Sequence, residues 1–501
     1  MKLVGTLVGR AGTRYVTFRV FEEVNVNDLV LIENAERRFL GVVRRISHVN
    51  IAKNQYSPFI VQGDEETIDA LGYMNASAEL LGVLDENGRV IPRITIPPLV
   101  GSKSNIYLLE EGDEVIINIG QPLYIGTHPS SNRLFQLDAS YANYHIAVVG
   151  TTGTGKSHLV RLLAKAFNVK GAKSLIFDHT GQDYAPYFRN DKSFVVIEDK
   201  EVLPSPSGIA SVIASEVGSE YSEDVEISVY AYLLSGGDLD KAIEFYEALG
   251  LMEEPKKTRY RTSIIQPARG KIELPEIEKF KAVEWDNERY LDILKYTMAL
   301  LARRNTTIAK VTMRYLISGI NLSKFNDRKY TPREVAFKVV DDDKSVVLDL
   351  SNEPMAIKWS LLKDVTKYLW ERVQAKGGDR ILLVIDEAQN YASQGTPTSA
   401  ILEEIARRGR KFGVGLVLAS QRWVTDLSTG IRNNINTVFF SQLAVESDIA
   451  EISKVVATEN VDLASLDRGY FYVSGLLNPL RKPLLLYTFP ELENVVKVNA
   501  G

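Results

Sequence analysis

The sequence predicts an α/β chain: a parallel sheet with crossover helices, preceded by a β-rich domain and interrupted by a helical insertion. Three observations carry this. From about residue 131, short apolar runs such as Ile146-Ala147-Val148-Val149 and Leu175-Ile176-Phe177 alternate with segments of helical period, as parallel strands joined by helices do. Ahead of them, residues 1–130 are short β-branched or alternating runs broken by Gly, Asn and Asp, the pattern of a small barrel or sandwich. Between 200 and 344 the patterns are mostly helical. The expected organisation is therefore a β-barrel over 1–130, a core over 131–199 and 345–501, and a helical insertion over 200–344.

Within the first domain, Leu3–Val8, Tyr15–Val20, Leu29–Ile32, Phe39–Ile46 and Val115–Ile119 read as strands, and Asp64–Tyr73 as a helix between them. No catalytic cluster stands out here, which favours a docking role. In the core, His145–Val149, Ser174–Phe177, Ser345–Leu350, Ile381–Ile385, Gly415–Ala419, Thr437–Phe440, Tyr470–Val473 and Leu484–Tyr487 read as strands. Helices are expected over Trp359–Lys376 and Ile401–Lys411, and in the insertion over Asp238–Leu249 and Trp285–Arg304.

Composition bounds the function. At 501 residues the chain is long enough for roughly three domains. Hydrophobic content of 45% and charged content of 25% are ordinary for a globular protein. Zero cysteines exclude disulfides, zinc–thiolate sites and cysteine nucleophiles, which suits a cytoplasmic location. No apolar run approaches a membrane span, and Met1-Lys2-Leu3 leads into a strand pattern rather than a signal peptide. The formal net charge of -5 means that any polyanion must be met by local basic patches.

Gly150-Thr151-Thr152-Gly153-Thr154-Gly155-Lys156-Ser157 fits G-x-x-x-x-G-K-[ST], the phosphate-binding P-loop. A buried strand precedes it, and Leu159, Leu162, Leu163, Ala166 and Phe167 follow at helical spacing. That context is what the chemistry needs: the glycines turn successive N–H groups onto the phosphates, and the helix N-terminus adds favourable partial charge. The stretch Gly150–His158 is expected to bind ATP, with Lys156 on the β/γ-phosphates and Ser157 on Mg²⁺. The apolar run ending in Asp386-Glu387 is the matching Walker-B pattern. Asp386 would hold the Mg²⁺ shell, and Glu387 would polarise the attacking water. Gln421, ending the neighbouring strand, is placed to sense the γ-phosphate. Asp178-His179-Thr180-Gly181 also fits D-x-x-G, a γ-phosphate sensor in small GTPases. With no Asn-Lys-x-Asp motif in the chain, Asp178 is expected only to support metal or water.

Two sets of cations stand out. Arg407, Arg408, Arg410 and Lys411 crowd a helix end, either as dipole partners or as an arginine finger for a neighbour's ATP; Arg133 is a weaker candidate for that task. Lys256, Lys257, Arg259, Arg261, Arg269 and Lys271, with Arg303, Arg304, Lys310 and Arg314, are either a solvated face or a nucleic-acid contact.

The ordered set resembles the HerA–FtsK superfamily of hexameric DNA pumps, and within it the archaeal HerA helicases. It runs from the P-loop through Phe177-Asp178-His179-Thr180-Gly181-Gln182-Asp183-Tyr184, Val384-Ile385-Asp386-Glu387-Ala388-Gln389-Asn390 and Ala406-Arg407-Arg408-Gly409-Arg410-Lys411-Phe412-Gly413 to Ser420-Gln421. The likeness covers most of the chain except the insertion; Gln182 departs from it, standing where an acid is frequent. The resemblance implies a RecA-like P-loop ATPase core in a homohexameric ring translocating double-stranded DNA. It also implies work with a NurA-type nuclease and with Mre11–Rad50 in resecting double-strand breaks. The competing expectations are a related ring ATPase that pumps protein or conjugative DNA, and a nucleotide-dependent scaffold with little turnover.

Overall fold

The computed structural model describes the whole chain except residues 35–36, 51–71, 102–103, 114, 249–279, 302, 343, 377–379, 456–462 and 501. It divides into two compact units, residues 1–173, 380–394 and 403–501, and residues 174–379 and 395–402.

The first unit opens with a barrel. Strands β1 (Lys2–Val8), β2 (Tyr15–Val20), β3 (Leu29–Glu33), β4 (Arg38–Asn50), β5 (Gly72–Leu84) and β7 (Asn105–Leu108) follow each other in the order β2-β1-β7-β3-β4-β5, and β2 pairs again with β5 to close the ring. Two short strands, β6 (Arg89–Ile91) and β8 (Ile116–Ile117), extend from β5. Closure removes the open edges that a sheet of this size would otherwise expose. Inward positions alternate along the strands, and Val4, Val16, Phe18, Val30, Ile32, Phe39, Val43, Ala78 and Ile106 fill the interior.

Sequence reasoning missed β5. Its Met74-Asn75-Ala76-Ser77-Ala78-Glu79-Leu80 is rich in Ala, Met, Leu and Glu, which favour helix, yet it pairs with β2 from Tyr15↔Glu79 to Arg19↔Asn75 and with β4 along its whole length. Tertiary pairing overrides local propensity here. Tyr73, expected in a helix, is in this strand, and Asp64–Leu71 lies outside the described residues.

The same unit holds most of the nucleotide-type sheet: β9 (Pro122–Thr127), β10 (Leu134–Asp138), β11 (Ile146–Val149), β15 (Ile381–Ile385), β16 (Val414–Ser420), β17 (Thr437–Phe440), β18 (Tyr470–Gly475) and β19 (Leu484–Thr488). Their order is β10-β9-β19-β18-β17-β11-β16-β15. The strands from β17 to β15 are parallel and those from β17 to β10 antiparallel. Every residue of β11, β15 and β16 is buried, so these strands read as continuous apolar runs. Helix α1 (Lys156–Val169) packs on β9, β11 and β16. A buried polar network ties barrel to sheet. Asn27 donates to the Tyr472 hydroxyl (2.8 Å), Arg44 pairs with Glu79 (3.0 Å) and donates to the Pro483 carbonyl, and Lys482 also reaches Glu79 (3.3 Å).

The second unit carries three parallel strands in the order β12-β14-β13: β12 (Lys173–Asp178), β13 (Phe194–Glu198) and β14 (Ser345–Asp349). Between β13 and β14 the described chain is helical: α2 (Pro206–Val217), α3 (Ser222–Ser235), α4 (Leu239–Ala248), α5 (Asn287–Leu300), α6 (Asn305–Ser318) and α7 (Pro332–Asp341). Helix α8 (Met355–Lys376) follows β14. Aromatic rings hold the helical part together; Tyr232 stacks on Trp285 with centroids 4.6 Å apart.

Candidate nucleotide site

The phosphate loop leaves the C-terminal end of β11, which is clamped between β16 (Val149↔Ser420) and β17 (Val149↔Phe440). Its glycines act differently. Gly150 is fixed by packing, because a Cβ there would lie 2.9 Å from the Ser441 Cβ and 3.0 Å from the Thr154 hydroxyl. Gly153 and Gly155 have φ of +87° and +100°, where L side chains are strained. A Cβ on Gly153 would meet no protein atom within 4 Å, so the loop is open on that face.

Within the loop, the Thr154 hydroxyl donates to the Thr151 carbonyl (2.9 Å) and the Lys156 Nζ to the same oxygen (3.0 Å), so the lysine lies across the loop. Helix α1 starts at Gly155, and its first internal bond runs from the Leu159 N–H to the Gly155 carbonyl (2.9 Å). The amides of Lys156, Ser157 and His158 precede that bond, so they are the orphan donors of a helix N-terminus and suit an anion.

The Ser157 hydroxyl donates to the Asp386 Oδ2 at 3.0 Å. The two oxygens fit a hard Mg²⁺, which takes one or two protein oxygens and keeps its other positions for phosphate and water. Glu387 follows at the end of β15. Its amide donates to the Asp386 Oδ1 (2.9 Å), and its carboxylate accepts from the Gln389 amide and, at 3.5 Å, from the Gln421 Nε2. Its φ is +47°, in the left-handed region, an uncommon state for a glutamate. Asp426 fixes the turn after β16, its Oδ2 accepting from the Gln421 (3.2 Å) and Arg422 (2.7 Å) amides. Lys156, Ser157, Asp386, Glu387 and Gln421 thus gather at the C-terminal ends of three neighbouring strands.

The His158 Nε2 lies 2.6 Å from the Phe489 carbonyl, and burial lowers the imidazole pKa, so the ring is a neutral tether; only its backbone amide is left for a phosphate. Sequence reasoning missed Asp426, Gln389 and the turn Asp467–Tyr470, whose Gly469 amide donates to the Thr154 carbonyl at 3.0 Å. Asp426 was in principle visible as an acid six residues after a strand end. The turn gave no signal, since three hundred residues separate it from the loop that it touches.

The arginines stand apart. Arg407 and Arg408 end helix α9 (Ser399–Arg408), and Arg410 lies in the 3-10 turn that leads into β16. They are therefore at the N-terminal end of a strand whose C-terminal end carries Gln421. The seven residues of β16 span about 20 Å at the usual rise, further than an arginine side chain extends. Arg408 pairs with Glu404 (2.9 Å), and the Arg410 guanidinium sits 3.9 Å above the Tyr144 ring. For Arg407, the side-chain hydrogen bond seen among the described residues is a long one, 3.4 Å from Nε to the Glu403 carbonyl.

Arg133 does not fit a finger. Its Nη1 donates to the carbonyls of Glu110, Glu111 and Asp113 (3.0, 3.1 and 2.7 Å) and its Nη2 to that of Val115 (3.2 Å), which ties a loop to β10. In the second unit, Asp178 is similarly committed. Its carboxylate accepts from the amides of Gly181 (3.0 Å), Tyr184 (2.9 Å) and Ala185 (2.9 Å), so it builds its own turn. The run Lys256–Lys271 lies outside the described residues. Of the second basic group, Arg303 is bound by Asp224 (2.9 Å) and Arg314 by Glu220 (3.2 Å).

The chain is similar to known proteins. The family model "Helicase HerA, central domain" matches residues 123–367. A "Probable DNA double-strand break repair helicase HerA" of Methanocaldococcus jannaschii is 24% identical over 94% of this chain and 92% of its own length. The "DNA double-strand break repair helicase HerA" of Saccharolobus solfataricus is 24% identical over 94% and 90%. The chain therefore carries a HerA central domain and is similar along most of its length to HerA helicases. Among solved structures, VirB4 of Thermoanaerobacter pseudethanolicus is similar at a TM-score of 0.46 and 17% identity, over 75% of this chain and 98% of that one. The HerA central-domain match takes in the P-loop and Asp178; Asp386, Glu387, Gln421 and the arginines fall beyond it and within the span of the full-length relatives.

Proposed function

We propose that this chain is an ATP-driven translocase of double-stranded DNA that works as a homohexameric ring in the cytoplasm. Its setting would be end resection at double-strand breaks, with a NurA-type nuclease docked on the barrel and Mre11–Rad50 as a further partner. The observation that carries the reading is the gathering of Lys156, Ser157, Asp386, Glu387 and Gln421 at one set of strand ends, with the arginine cluster at the opposite end. The HerA central-domain match and the likeness to HerA helicases support the DNA substrate, and no helix among the described residues is long and apolar enough to cross a membrane.

In hydrolysis, Lys156 and the first-turn amides of α1 would hold the phosphates, and Ser157 and Asp386 would hold Mg²⁺, which supplies charge neutralisation when bound. Glu387, with Gln421 beside it, would take a proton from a water as that water's oxygen bonds to the γ-phosphorus and the bond to the ADP oxygen breaks. Arg407, Arg408 and Arg410 lie too far from their own phosphate loop, so an arginine from this cluster would act on a neighbour's ATP; Arg407 is the one least engaged.

The test is ATP turnover with and without linear duplex DNA, on protein sized by light scattering. A hexamer whose turnover rises on DNA addition is expected. A monomer with full activity, or turnover indifferent to DNA, would overturn the translocase reading and leave a nucleotide-dependent scaffold in its place.

A further inference from the structure

The sheet order separates the two ends of a bound nucleotide. Asp386, Glu387 and Gln421, which meet the γ-phosphate end, directly follow β15 and β16, to one side of β11. Since Lys156 spans the β/γ-phosphates, the α-phosphate, sugar and base must leave toward the other side, where β17, β18 and β19 follow in order.

What stands there is a small wall of unusual composition. The turn Asp467–Tyr470 leads into β18 and is closed by the Tyr470 amide on the Asp467 carbonyl (3.2 Å). It rests on the phosphate loop: besides the Gly469–Thr154 bond, a Cβ on Gly155 would lie 3.8 Å from the Gly469 Cα and 4.0 Å from the Arg468 Cγ. Gly469 has φ of +87°, and a Cβ on it would come within 3.4 Å of the Tyr487 ring, so its lack of a side chain lets turn and ring approach. Tyr487 faces Tyr470 across β18 and β19, with ring centroids 4.8 Å apart, and 40% of its surface is open to solvent. Arg468 is exposed and has no ion pair or side-chain hydrogen bond among the described residues.

An uncompensated guanidinium beside Lys156 and a helix N-terminus sits in a field of its own sign, which disfavours the empty site and favours a site filled by a polyanion. An open tyrosine ring next to it offers a stacking surface of the kind that receives nucleic-acid bases.

We propose that Arg468 binds the α-phosphate and that Tyr487 stacks on the base of the nucleotide held by the P-loop, so that these two residues form the nucleoside-recognising half of the site. This rests on the nucleotide-binding reading above. Stacking favours the larger π-surface, so purine nucleotides bind more tightly than pyrimidine nucleotides.

The experiment is equilibrium binding by titration calorimetry of ATP, CTP and inorganic tripolyphosphate to the full chain and to Tyr487→Ala, Tyr487→Phe and Arg468→Ala. Tripolyphosphate reports the phosphate contacts without the nucleoside. Tyr487→Ala should lose about tenfold or more in ATP affinity, lose the preference for ATP over CTP and keep tripolyphosphate binding, whereas Tyr487→Phe should keep all three. Arg468→Ala should weaken both ATP and tripolyphosphate and flatten the salt dependence of binding. Unchanged ATP affinity in Tyr487→Ala, or equal loss of ATP and tripolyphosphate in both tyrosine variants, would overturn the stacking role; unchanged affinity in Arg468→Ala would overturn the phosphate role. If the wild-type chain bound neither ATP nor tripolyphosphate, the P-loop reading itself would fall.

Discussion

Glu387 combines a strained backbone with the position proposed for the general base, and substitutions can separate the two. A non-glycine residue held at φ of +47° carries roughly 1–2 kcal/mol of left-handed cost. Three contacts keep it there: its amide on the Asp386 carboxylate, its carbonyl on the Asn390 amide (2.9 Å), and the Ala388 amide on the Ala419 carbonyl (2.8 Å). Glu387→Gly removes the strain but adds about 0.5–1 kcal/mol of unfolded-state entropy, so it should leave stability within about 1 kcal/mol of wild type. Glu387→Ala keeps the strain and loses the side-chain bonds to Gln389 and Gln421, about 1 kcal/mol. Glu387→Val adds β-branched crowding at positive φ and should be the worst. Glu387→Gln keeps shape and strain.

Denaturant midpoints should therefore rank Gly and Gln near wild type, then Ala, then Val. ATP turnover should collapse in all four, with ATP binding retained in Gln and Gly, because only water activation is lost. Two results would refute the reasoning. Equal destabilisation by Gly and Val would mean that the backbone is not strained. Near-normal steady-state hydrolysis by Glu387→Gln would remove Glu387 as the base.

Lys156→Ala should reduce ATP turnover to background, because the β- and γ-phosphates lose the loop's own cation; residual turnover within tenfold of wild type would contradict its role. Burial holds the His128 and His145 imidazoles down at about 4, against an ordinary value of 6.5. Their neutral forms therefore stabilise the fold above pH 6.5, and that stability is lost as pH falls from 6.5 toward 4, by roughly 1.4 kcal/mol each at pH 5.5. Glutamine at either position should flatten the pH dependence of the denaturant midpoint, and an unchanged slope would count against it. Arg133→Ala strips the donor from four carbonyls and should cost about 1–2 kcal/mol while leaving turnover per folded molecule intact; loss of turnover without loss of stability would restore Arg133 as a finger. Mixing Lys156→Ala with Arg407→Ala should partly restore activity if the arginine serves a neighbour, and mixed rings that form yet stay inactive would return the cluster to a capping role.

Legibility in the sequence followed the range of the interactions. The P-loop was readable because strand, glycine turn and helix N-terminus are contiguous, and each leaves its own local mark between Ile146 and Phe167. Asp386-Glu387 was readable for the same reason, as a buried strand ending in acids. The site beyond these motifs depends on pairings that local pattern does not encode. β5 carries no strand signal of its own until β2 and β4 are laid beside it, and Arg468–Gly469 is an ordinary turn until β18 is placed two strands from β11. Arg133 shows the converse. A cation just ahead of a phosphate loop looks functional in one dimension, but its four carbonyl partners, Glu110, Glu111, Asp113 and Val115, belong to a loop about twenty residues earlier. The arginines of α9 lie at the opposite limit. Their sequence spacing places them just before the Gln421 strand, yet that strand's own length holds them about 20 Å from the end where Gln421 works. The feature that makes Arg407 look adjacent to the phosphate in sequence is therefore what keeps it from its own phosphate in space, and any catalytic use of it has to come from a second copy of the chain.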